Sequence, residues 1–487
     1  RQDTLDVLER CRSGDPRIKI VRAPENLHIA GASNLAARQA TGEFLAFLDH
    51  DDVLHPHALR EVALALQQFP ETDLLYTDED KINSDGNRHQ DPFYKPDWSP
   101  EYLESVMYML HMLTVRSALF RELGGFRTQV SGAQDYDLAL RASRLARRVH
   151  HIPKILYHWR MIPGSAAAAI DAKPQAIRAA RLALQDALSA SGQPGHVEDG
   201  LLPATFRARW DIVGNPPVTL LILTNHVARS IPGRGRIHLL QHFIRSILDK
   251  STYPNYRILV VDNGNAQRPI KRYLDRNGVR VVSYSYAGPF NYSRKFNFST
   301  RYVETNHVIC LNDDLEVITP EWIESLLEFS QKPEIGVAGA RLLHAQGTVQ
   351  HAGVVLGVNG SAAHLFHGLP GDQVGYYGYS HVIRNFSAVT GAVMATRMEI
   401  IQAVNGFDER MAIDLNDIDF CLRVQGLGKR IVYTPYAQLY HFEGASQERK
   451  AITEADVKVF RRRWQEVMDR DPFYNPNLPK DRLNNLV

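Results

Sequence analysis

The sequence has few cysteines: there are three among 487 residues, at Cys11, Cys310 and Cys421. They are widely separated, and none belongs to a Cys-x-x-Cys pair of the kind found in structural zinc sites. A disulfide framework is disfavoured as well, because proteins that depend on one carry many more cysteines in a short chain. We therefore expect a protein of a reducing, cytoplasmic compartment.

Long hydrophobic runs are also missing. No stretch approaches the ~18 apolar residues that a membrane-spanning helix needs, and the longest run, residues 218–223, has the length of a strand. The first residues, RQDTLDVLERC, are charged and lack the apolar core of a signal peptide. The sequence thus gives no sign of an integral membrane protein.

An excess of charge of one sign is the third absence. The chain has 56 basic and 54 acidic side chains and a formal net charge of +2, so nothing in its composition favours nucleic acid as a partner. Its hydrophobic content of 44% and charged content of 23% are those of globular proteins. The length predicts two or three domains, and therefore more than one site.

Short apolar runs alternate with amphipathic helical patterns, first over residues 44–76. Such alternation predicts an α/β fold with a largely parallel sheet. A second series of strands begins at residues 218–225 and continues at residues 256–263 and 307–314. We therefore expect two sheets of similar construction.

Each strand of the second series ends in polar residues: Asn225, then Asp262, then Asp313 or Asp314. Ligands of open α/β sheets bind beyond the carboxyl ends of the strands. We therefore expect these side chains to line a binding site.

The strongest signal is an internal repeat. In the first half the motifs LDHDD, GGF, QDYDLALR and LYHWR follow one another, and in the second half LNDD, NGF, NDIDFCLR and LYHFE follow in the same order. Two such ordered sets are hard to obtain by chance. We predict two domains of the same kind in tandem.

The first motif brings Asp49, Asp51 and Asp52 close together. Neighbouring carboxylates repel one another unless a cation or hydrogen bonds compensate. A hard cation such as Mg²⁺ or Mn²⁺ prefers carboxylate oxygens and keeps waters or substrate phosphates as its other ligands. The alternative is a solvated turn that caps the next helix, and the repeat argues against it.

The third motif should open a helix in both halves. Its two carboxylates, Asp135 and Asp137 or Asp417 and Asp419, are two residues apart and cannot share a helix face, so we expect different roles for them. One would act as a general base, and the other would cap the helix or pair with the arginine four residues further on. Helix capping by both carboxylates is the alternative.

A histidine, His158 or His441, ends the Leu-Tyr strand of the fourth motif. Alone, each would be an ordinary strand-end histidine, but its register with the other motifs favours contact with a metal ion or a phosphate. Another group of histidines shows no zinc-ligand spacing, so we do not expect a metal site there: His344, His351, His364 and His367.

Together with VTGA at residues 389–392 and GFDE at residues 406–409, these motifs resemble those of bacterial family-2 glycosyltransferases, in particular tandem enzymes of cell-surface polysaccharide and O-antigen assembly. The resemblance covers nearly the whole chain. It implies two GT-A domains, which are Rossmann-like α/β domains. Each would transfer a sugar from a nucleotide-diphosphate donor with inversion, using Mn²⁺ or Mg²⁺ on the diphosphate.

The resemblance also implies residue roles. Asp135 and Asp417 match the base that takes the proton from the acceptor hydroxyl. The implied metal ligands are Asp51, Asp314, His158 and His441. Asp262 is expected to contact the nucleobase of the nucleotide sugar. The other expected contacts to the nucleotide sugar are Asn225, Arg294, Asn312, Asp313, Asp49 and Asn34. Asn312 stands where the first half has Asp49, which weakens the expected metal binding in the second half.

We predict an N-terminally truncated GT-A domain over residues 1–165, a helical linker over residues 166–215, a complete GT-A domain over residues 216–447, and a C-terminal helix and tail over residues 448–487. The first domain begins at the helix that follows the family's second strand, and the chain has no initial Met. We therefore expect a fragment of a longer protein, whose first domain is active only with its missing strands.

The expected acceptor is a glycan or a lipid-linked glycan, and basic residues in 457–464 would allow peripheral attachment at the inner face of the cytoplasmic membrane. FRRRWQ resembles the QxxRW motif of processive synthases, but Phe460 occupies the position of Gln. One alternative function is a non-catalytic glycan-binding scaffold in one domain. The other is a sugar-nucleotide pyrophosphorylase, whose basic Gly-rich loop is matched only loosely by residues 224–236.

Overall fold

The computed structural model describes residues 2–162, 174–442 and 453–483. The chain forms two compact units. Unit 1 comprises Arg1–Lys95 and Met107–Val197, and unit 2 comprises Pro96–Val106 and Glu198–Val487.

The predicted domain boundaries can be set beside these units. Residues 174–197 of the predicted linker belong to unit 1, and residues 198–215 belong to unit 2. Parts of the predicted linker and C-terminal segment lie outside the described residues: 166–173, 448–452 and 484–487. The boundaries themselves stay a prediction.

In chain order, the described elements up to residue 199 are α1 (Gln2–Gly14), α2 (His28–Gln39), β1 (Phe44–Ala46), β2 (Val53–Leu54), α3 (Ala58–Gln68), β3 (Leu74–Ile82), β4 (His89–Phe93), α4 (Pro100–Leu103), β5 (Thr114–Arg116), α5 (Ser117–Glu122), α6 (Gln134–Leu145), β6 (Val149–Arg160), α7 (Pro174–Ala190) and β7 (Gly195–Asp199). The helical pattern at residues 57–68 is confirmed by α3.

The elements that follow are β8 (Phe206–Trp210), β9 (Val218–Leu223), β10 (Ala228–Ile231), β11 (Gly235–His238), α8 (Leu239–Lys250), β12 (Tyr256–Asp262), α9 (Arg268–Arg276), β13 (Arg280–Ser283), α10 (Tyr292–Ser299), β14 (His307–Asn312), β15 (Leu315–Val317), α11 (Trp322–Ser330), β16 (Ile335–Leu343), β17 (Val349–His351), β18 (Val354–Leu356), β19 (Ala362–His364), β20 (Arg384–Asn385), β21 (Val393–Arg397), α12 (Met398–Ala403), α13 (Asn416–Gln425), β22 (Arg430–His441) and α14 (Glu454–Asp469).

The sheet of unit 1 has the strand order β1-β5-β3-β6-β2, and β4 pairs with β3. Only β3 and β6 pair in parallel among the described strands of this sheet, and the other pairs are antiparallel. The predicted α/β class is confirmed, but this sheet is mixed rather than mostly parallel.

The main sheet of unit 2 has the order β13-β12-β9-β14-β21-β16-β22-β15. Here β13, β12, β9 and β14 are parallel neighbours, β16 and β22 are also parallel, and β21 and β15 run antiparallel to their neighbours. A sheet with both parallel and antiparallel pairs needs both kinds of connection, because parallel strands require a crossover such as a helix and antiparallel strands can be joined by short turns.

The internal repeat of the sequence is also a repeat of strand order. The run β14-β21-β16-β22-β15 of unit 2 corresponds strand by strand to β1-β5-β3-β6-β2 of unit 1. The described part of unit 1 contains no counterparts of β9, β12 and β13. The prediction of tandem domains, with the first lacking its opening strands in this chain, is therefore confirmed.

Strand β9 lies between β12 and β14, and its six residues are all buried, as in a strand whose sheet is covered on both faces. Helix α8 buries Leu240, Phe243, Ile244 and Ile247, which recur at helical spacing along one face. Full burial of each such side chain contributes about 1.5–3 kcal/mol. This packing fixes the strands whose carboxyl ends carry the candidate site.

Residues 96–106 are anchored within unit 2 by a buried ion pair. Arg430 Nη2 lies 2.7 Å from Glu101 Oε1, and Asn385 Nδ2 donates to Glu101 Oε2 at 2.6 Å. The Glu101 side chain is only 3% exposed. Because a buried carboxylate needs such partners to offset its desolvation, this contact explains why the segment belongs to unit 2.

The same asparagine contact supports the GGF and NGF motifs in the two units. Asn34 Nδ2 donates to Phe126 O at 2.8 Å, and Asn34 Oδ1 accepts from Phe126 N at 2.9 Å. Asn297 bonds to Phe407 O and N in the same way, at 2.9 and 2.8 Å. The glycine before Phe126, Gly125, adopts φ +74°. A Cβ there would lie 2.5 Å from Asn34 Oδ1.

We predict that Gly125→Ala destabilises unit 1 more than Gly124→Ala does. Both glycines have φ +74°, so both substitutions carry the left-handed strain of about 1–2 kcal/mol. A Cβ at Gly124 meets nothing within 4 Å, whereas one at Gly125 displaces the Asn34 amide, which adds about 1–3 kcal/mol for the hydrogen bonds lost. Differential scanning calorimetry of both variants measures the difference, and equal losses would contradict the asparagine contact.

Candidate functional site at the carboxyl edge of the unit 2 sheet

The strand ends singled out in the sequence meet at one edge of the unit 2 sheet. Leu223, the last residue of β9, pairs with Val261 of β12 and with Asn312 of β14. Asn225, Asp262 and the two aspartates after Asn312 therefore follow neighbouring parallel strands. The expectation that they share one edge is confirmed, although their binding roles stay a prediction.

Asp262 is fixed by its own neighbours. Its Oδ1 accepts hydrogen bonds from Gly264 N at 2.9 Å and Ser283 Oγ at 2.7 Å, and its Oδ2 lies 3.1 Å from His226 Nε2. Burial alone would raise the pKa of Asp262, but these hydrogen bonds outweigh it and lower the pKa. The side chain is an ionised, rigid acceptor next to the loop that follows β12.

Asn225 is exposed and is held by the same loop. Its Oδ1 accepts from Asn263 Nδ2 at 3.0 Å and from Asn265 Nδ2 at 3.2 Å. Asn265 Nδ2 also donates to Asn225 O at 3.1 Å. Three asparagine amides therefore join the loops after β9 and β12 into one surface.

Lys295 lies beside the site but is buried. From the sequence, Arg294 and Lys295 could both reach the diphosphate or both be solvent-exposed, and in the structure Lys295 is only 2% exposed. Lys295 Nζ donates to Thr224 O at 2.7 Å and to Asn263 Oδ1 at 2.9 Å. Burial lowers its pKa to about 8, against the attraction of Asp313 and Asp262. Only the tertiary structure brings this cation under the edge.

Arg294, the residue before it, points elsewhere. Its Nε lies 3.2 Å from Glu409 Oε2, and its side chain is 57% exposed. An arginine whose guanidinium remains accessible beside an edge of this kind can still reach an anionic ligand, so its predicted contact stays a prediction.

The two aspartates after β14 have different surroundings. Asp313 Oδ2 accepts from Thr224 Oγ1 at 2.5 Å. Burial, and then the neighbouring carboxylate of Asp314, raise the pKa of Asp313. Asp313 thus ties β14 to the end of β9 within the sheet edge.

Asp314 lies beside the strand-end histidine. Its Oδ1 is 3.2 Å from His441 Nε2, since β15 pairs with β22 so that Leu315 is opposite His441. Asn312 Nδ2 lies 3.4 Å from the same histidine nitrogen. Asp314 is 2% exposed, and among the described residues no group donates a hydrogen bond to its Oδ1. A buried carboxylate oxygen that accepts no hydrogen bond is a suitable ligand for a cation.

Asp417 begins α13 on the other side of this edge. Its Oδ2 accepts from Gly391 N at 2.7 Å, and its Oδ1 accepts from Ile418 N at 2.8 Å. The next residue after Gly391, Ala392, accepts a hydrogen bond from Asn312 N. This short backbone path places Asp417 beside the end of β14. Burial raises the pKa of Asp417 above the usual aspartate value.

Gly391 explains the glycine of the VTGA motif. A Cβ at this position would lie 3.0 Å from Asp417 Cβ, so the close approach of the two backbones favours the absence of a side chain. Tyr292 lies near the same groups: burial, and then the charges of Cys310, Asp417, Asp313 and Asp314, raise its pKa.

The other carboxylate of the helix, Asp419, has a structural role. It is fully buried and binds Arg423 Nε at 2.7 Å, Arg463 Nη1 at 2.6 Å and Trp464 Nε1 at 2.9 Å. The predicted pairing with the arginine four residues on is confirmed. The contribution of Arg463 and Trp464, which belong to FRRRWQ, was not predicted, because no local pattern relates α14 to α13.

Unit 1 repeats this division. Asp137 is 1% exposed and binds Arg141 Nε and Arg127 Nε, both at 2.8 Å. Asp135 Oδ1 accepts from Tyr136 N at 2.9 Å, and burial raises the pKa of Asp135. Asp135 and Asp417 thus lie in similar environments, which supports their predicted common role.

The DHDD carboxylates of unit 1 group differently from the prediction. Val53 pairs with His158 as Leu315 pairs with His441, so Asp52, not Asp51, is the counterpart of Asp314. Asp52 accepts from Tyr157 Oη at 2.5 Å and Arg160 N at 2.7 Å. One ligand atom each of Asp49, Asp52 and His111 lies within 4.8 Å of the others.

His158 and Asp51 are not brought together in this way. His158 Nδ1 lies 2.6 Å from Asp80 Oδ1, whereas the Asp51 carboxylate has His50 Nδ1 at 3.7 Å. Their predicted role as metal ligands therefore remains untested. Both amide atoms of Asn34 bond to the backbone of Phe126. These contacts favour a role of Asn34 in supporting the turn at Phe126 over a contact with the nucleotide.

The histidines of the Gly-rich segment form two pairs. His351 Nδ1 lies 2.7 Å from His364 Nδ1, and His344 Nε2 lies 3.3 Å from His367 Nε2. Thr390 N donates to His351 Nε2 at 3.4 Å. Because Thr390 precedes the glycine that contacts Asp417, His351 borders the candidate site.

Known proteins resemble the chain over both units. The family model for glycosyl transferase family 2 matches residues 1–124 and 231–362. The chain is 38% identical to the uncharacterized protein y4gI of Sinorhizobium fredii over 98% of its length, covering 53% of that protein. It is 36% identical to the O-antigen biosynthesis protein RfbC of Myxococcus xanthus over 97% of its length, covering 36% of that protein. The chain thus spans about half the length, or less, of these two relatives.

Among solved structures, a mannosyltransferase from Pyrobaculum calidifontis in complex with GDP-Man and Mn²⁺ matches 60% of this chain and 70% of its own, with 13% identity and a TM-score of 0.33.

We predict that Asp419→Asn destabilises the fold strongly and that Asp417→Asn does not. Loss of the Asp419 charge leaves two arginines around a buried site without their carboxylate, at a cost of about 3–5 kcal/mol. Asp417 is disfavoured as a buried anion, so its replacement leaves the unfolding temperature unchanged or higher. Thermal unfolding of both variants measures this. A large loss of stability in Asp417→Asn would contradict the separation of roles.

Proposed function

The chain belongs to glycosyl transferase family 2, whose model matches more than half of its residues, and we propose that unit 2 transfers a sugar from a nucleotide-diphosphate donor to an acceptor hydroxyl with inversion of configuration. The observation that carries this proposal is that Asp314, paired with His441, and Asp417, held by Gly391, both lie beside the end of β14.

Asp417 is proposed as the general base. Its carboxylate is positioned by two backbone N–H groups, and burial raises its pKa towards the range in which a carboxylate accepts a proton effectively. It would take the proton of the acceptor hydroxyl while the hydroxyl oxygen forms a bond to the anomeric carbon. The bond from that carbon to the diphosphate oxygen breaks at the same time, and a single displacement inverts the configuration.

Asp314 and His441 are proposed to hold the divalent cation, with Asn312 as a neutral neighbour. Asp314 Oδ1, which accepts no hydrogen bond from the described residues, and His441 Nε2, which lies 3.2 Å from it, fit such an ion. When bound, Mn²⁺ or Mg²⁺ would neutralise the negative charge on the diphosphate leaving group.

The nucleoside part of the donor is proposed to lie over the loops after β9 and β12. Asp262 offers fixed acceptor oxygens at the end of β12, and Asn225 and Asp313 follow the next two strands of the sheet, β9 and β14. Lys295 stabilises this surface from below through Thr224 and Asn263. Its positive charge also lies near the anionic groups of the edge.

The acceptor is proposed to be a glycan, free or lipid-linked, in bacterial surface polysaccharide assembly, since one relative of this chain is a protein of O-antigen biosynthesis.

We place the reaction in the cytoplasm or at the inner membrane face, where the charged nucleotide donor is available. None of the three cysteines forms a disulfide. No helix among residues 2–162, 174–442 and 453–483 has the length and apolar character to cross a bilayer.

A scaffold role in place of transfer is the second candidate for unit 1. Its described sheet contains no counterparts of β9, β12 and β13, which in unit 2 carry Asn225 and Asp262. Unit 1 nevertheless keeps Asp135 at the start of α6 and the carboxylates after β1. In this chain it would hold a glycan without turning over a donor.

We predict that Asp417→Asn lowers the rate of transfer or of slow donor hydrolysis by about 10²–10⁴-fold, the usual contribution of a general base. In the wild type, kcat/KM should rise with pH through a pKa above the usual value for aspartate, because the base must lose its proton and burial raises its pKa. The variant should lack this acidic limb. Asp249→Asn, a 62% exposed surface side chain, is the control. An unchanged rate in Asp417→Asn would refute the assignment.

We also predict that EDTA abolishes release of nucleoside diphosphate from the donor, and that added Mn²⁺ or Mg²⁺ restores it. A panel of UDP, dTDP and GDP sugars identifies the donor. Asp314→Ala should remain inactive after metal is added, while Asp249→Asn should recover. Formation of nucleoside triphosphate and sugar-1-phosphate when pyrophosphate is added to the donor would identify a pyrophosphorylase. Turnover that is insensitive to EDTA would contradict the metal site.

A further inference from the structure

Unit 1 contains a cluster of a carboxylate and two imidazoles that the proposed transfer reaction does not use. His158 Nδ1 lies 2.6 Å from Asp80 Oδ1, and His89 Nδ1 lies 2.8 Å from Asp80 Oδ2. One ligand atom from each of the three residues lies within 4.8 Å of the other two. The cluster thus offers two nitrogens and one oxygen around a single point.

The backbone holds these three side chains in place. Asp80 of β3 is the register partner of His158 of β6, and β4, which carries His89, pairs with β3 through the contact of His89 with Ile82. Three adjacent strands therefore supply the three side chains. Sites built on paired strands hold their ligands more accurately than sites on loops.

The burial of the cluster is graded from inside to outside. Asp80 and His158 have side chains that are 8% and 11% exposed, whereas the His89 side chain is 54% exposed. The two imidazole rings are nearly perpendicular, at 82°, with centroids 4.7 Å apart, so they approach Asp80 from different directions. An ion can reach the cluster from the His89 side and still contact a buried carboxylate.

The arrangement distinguishes unit 1 from unit 2. In unit 2 the equivalent strand-end histidine, His441, lies beside Asp314 of the sheet edge. In unit 1, His158 faces Asp80, and a separate group, Asp49, Asp52 and His111, forms beside β1. The histidine at the same place in the repeat therefore has a different partner in each unit.

We propose that Asp80, His89 and His158 form a binding site for a divalent transition-metal ion, for which Zn²⁺ is the best fit. Two histidine nitrogens and one carboxylate oxygen are a ligand set typical of zinc sites that keep a fourth position for water. Mg²⁺ prefers oxygen ligands and therefore suits this ligand set poorly. Zn²⁺ binds nitrogen ligands more tightly than Mn²⁺ does. This site shares no residue with the unit 2 site proposed for transfer, and it assigns His158, which the family resemblance implies as a ligand of the diphosphate metal, to a site with Asp80 and His89.

Zinc binding would replace the protons that now join these groups. Both Nδ1 atoms must be unprotonated to bind the ion, and the proton of each ring then resides on Nε2. Ligand atoms around a tetrahedral zinc ion lie about 3.3 Å apart, so the pairs now at 2.6 and 2.8 Å would separate slightly. The half-exposed His89 side chain can accommodate this movement.

The test measures Zn²⁺ and Co²⁺ binding to the full metal-stripped chain. Co²⁺ is followed by its visible absorption, which reports tetrahedral coordination, and Zn²⁺ by competition with a chromophoric chelator. We expect His89→Gln and Asp80→Asn each to weaken binding by at least about tenfold. His50→Gln, a 95% exposed histidine beside Asp51, should bind like the wild type.

Two further variants exclude the other candidate sites. Asp52→Asn tests the group beside β1, and His441→Gln tests the edge of unit 2, and neither should remove the tetrahedral Co²⁺ spectrum. Zn²⁺ should also raise the unfolding temperature of the wild type, by mass action, but not that of His89→Gln. Equal affinity of the wild type, His89→Gln and Asp80→Asn would overturn the proposal. The proposal would also be overturned if Asp52→Asn or His441→Gln lost the tetrahedral Co²⁺ spectrum while His89→Gln and Asp80→Asn kept it.

Discussion

The parallel pairing of β9 with β12 and β14 is the constraint on which the candidate site depends. Because Leu223 is in register with both Val261 and Asn312, three short polar segments that are far apart in the chain begin at the same level. The edge they create concentrates carboxylates in a small volume. Burial of Lys295 beneath the edge, and the hydrogen bonds to Asp262, make that concentration tolerable.

Two neighbouring carboxylates of the same helix have different roles because they have different hydrogen-bond partners. Asp417 and Asp419 are two residues apart on one helix, yet Asp419 is neutralised by arginines, whereas the described partners of Asp417 are backbone N–H groups. The first arrangement stabilises the fold and removes the carboxylate from chemistry. The second leaves a carboxylate that burial makes more basic. Asp135 and Asp137 show that both units use the same solution.

The two units have diverged within one strand order. Each keeps the asparagine contact that holds Phe126 or Phe407, so the framework around the helix start is preserved. The strand-end histidines differ more, because His441 is beside Asp314 whereas His158 is beside Asp80. A repeated backbone can therefore carry different sites, since the partner of a side chain depends on the neighbouring strand as much as on its own motif.

The sequence by itself determined the α/β class and the tandem repeat, which follow from local periodicity and from motifs of short spacing. The family followed from the resemblance of those motifs, and the pairing of Asp419 with Arg423 was one of the roles that the sequence left open. Only the tertiary structure decided that Lys295 is buried, that Asp52 rather than Asp51 corresponds to Asp314, and that Arg463 and Trp464 reach Asp419. Those contacts join segments distant in the chain. Strand register and helix packing, which no local pattern specifies, bring them together.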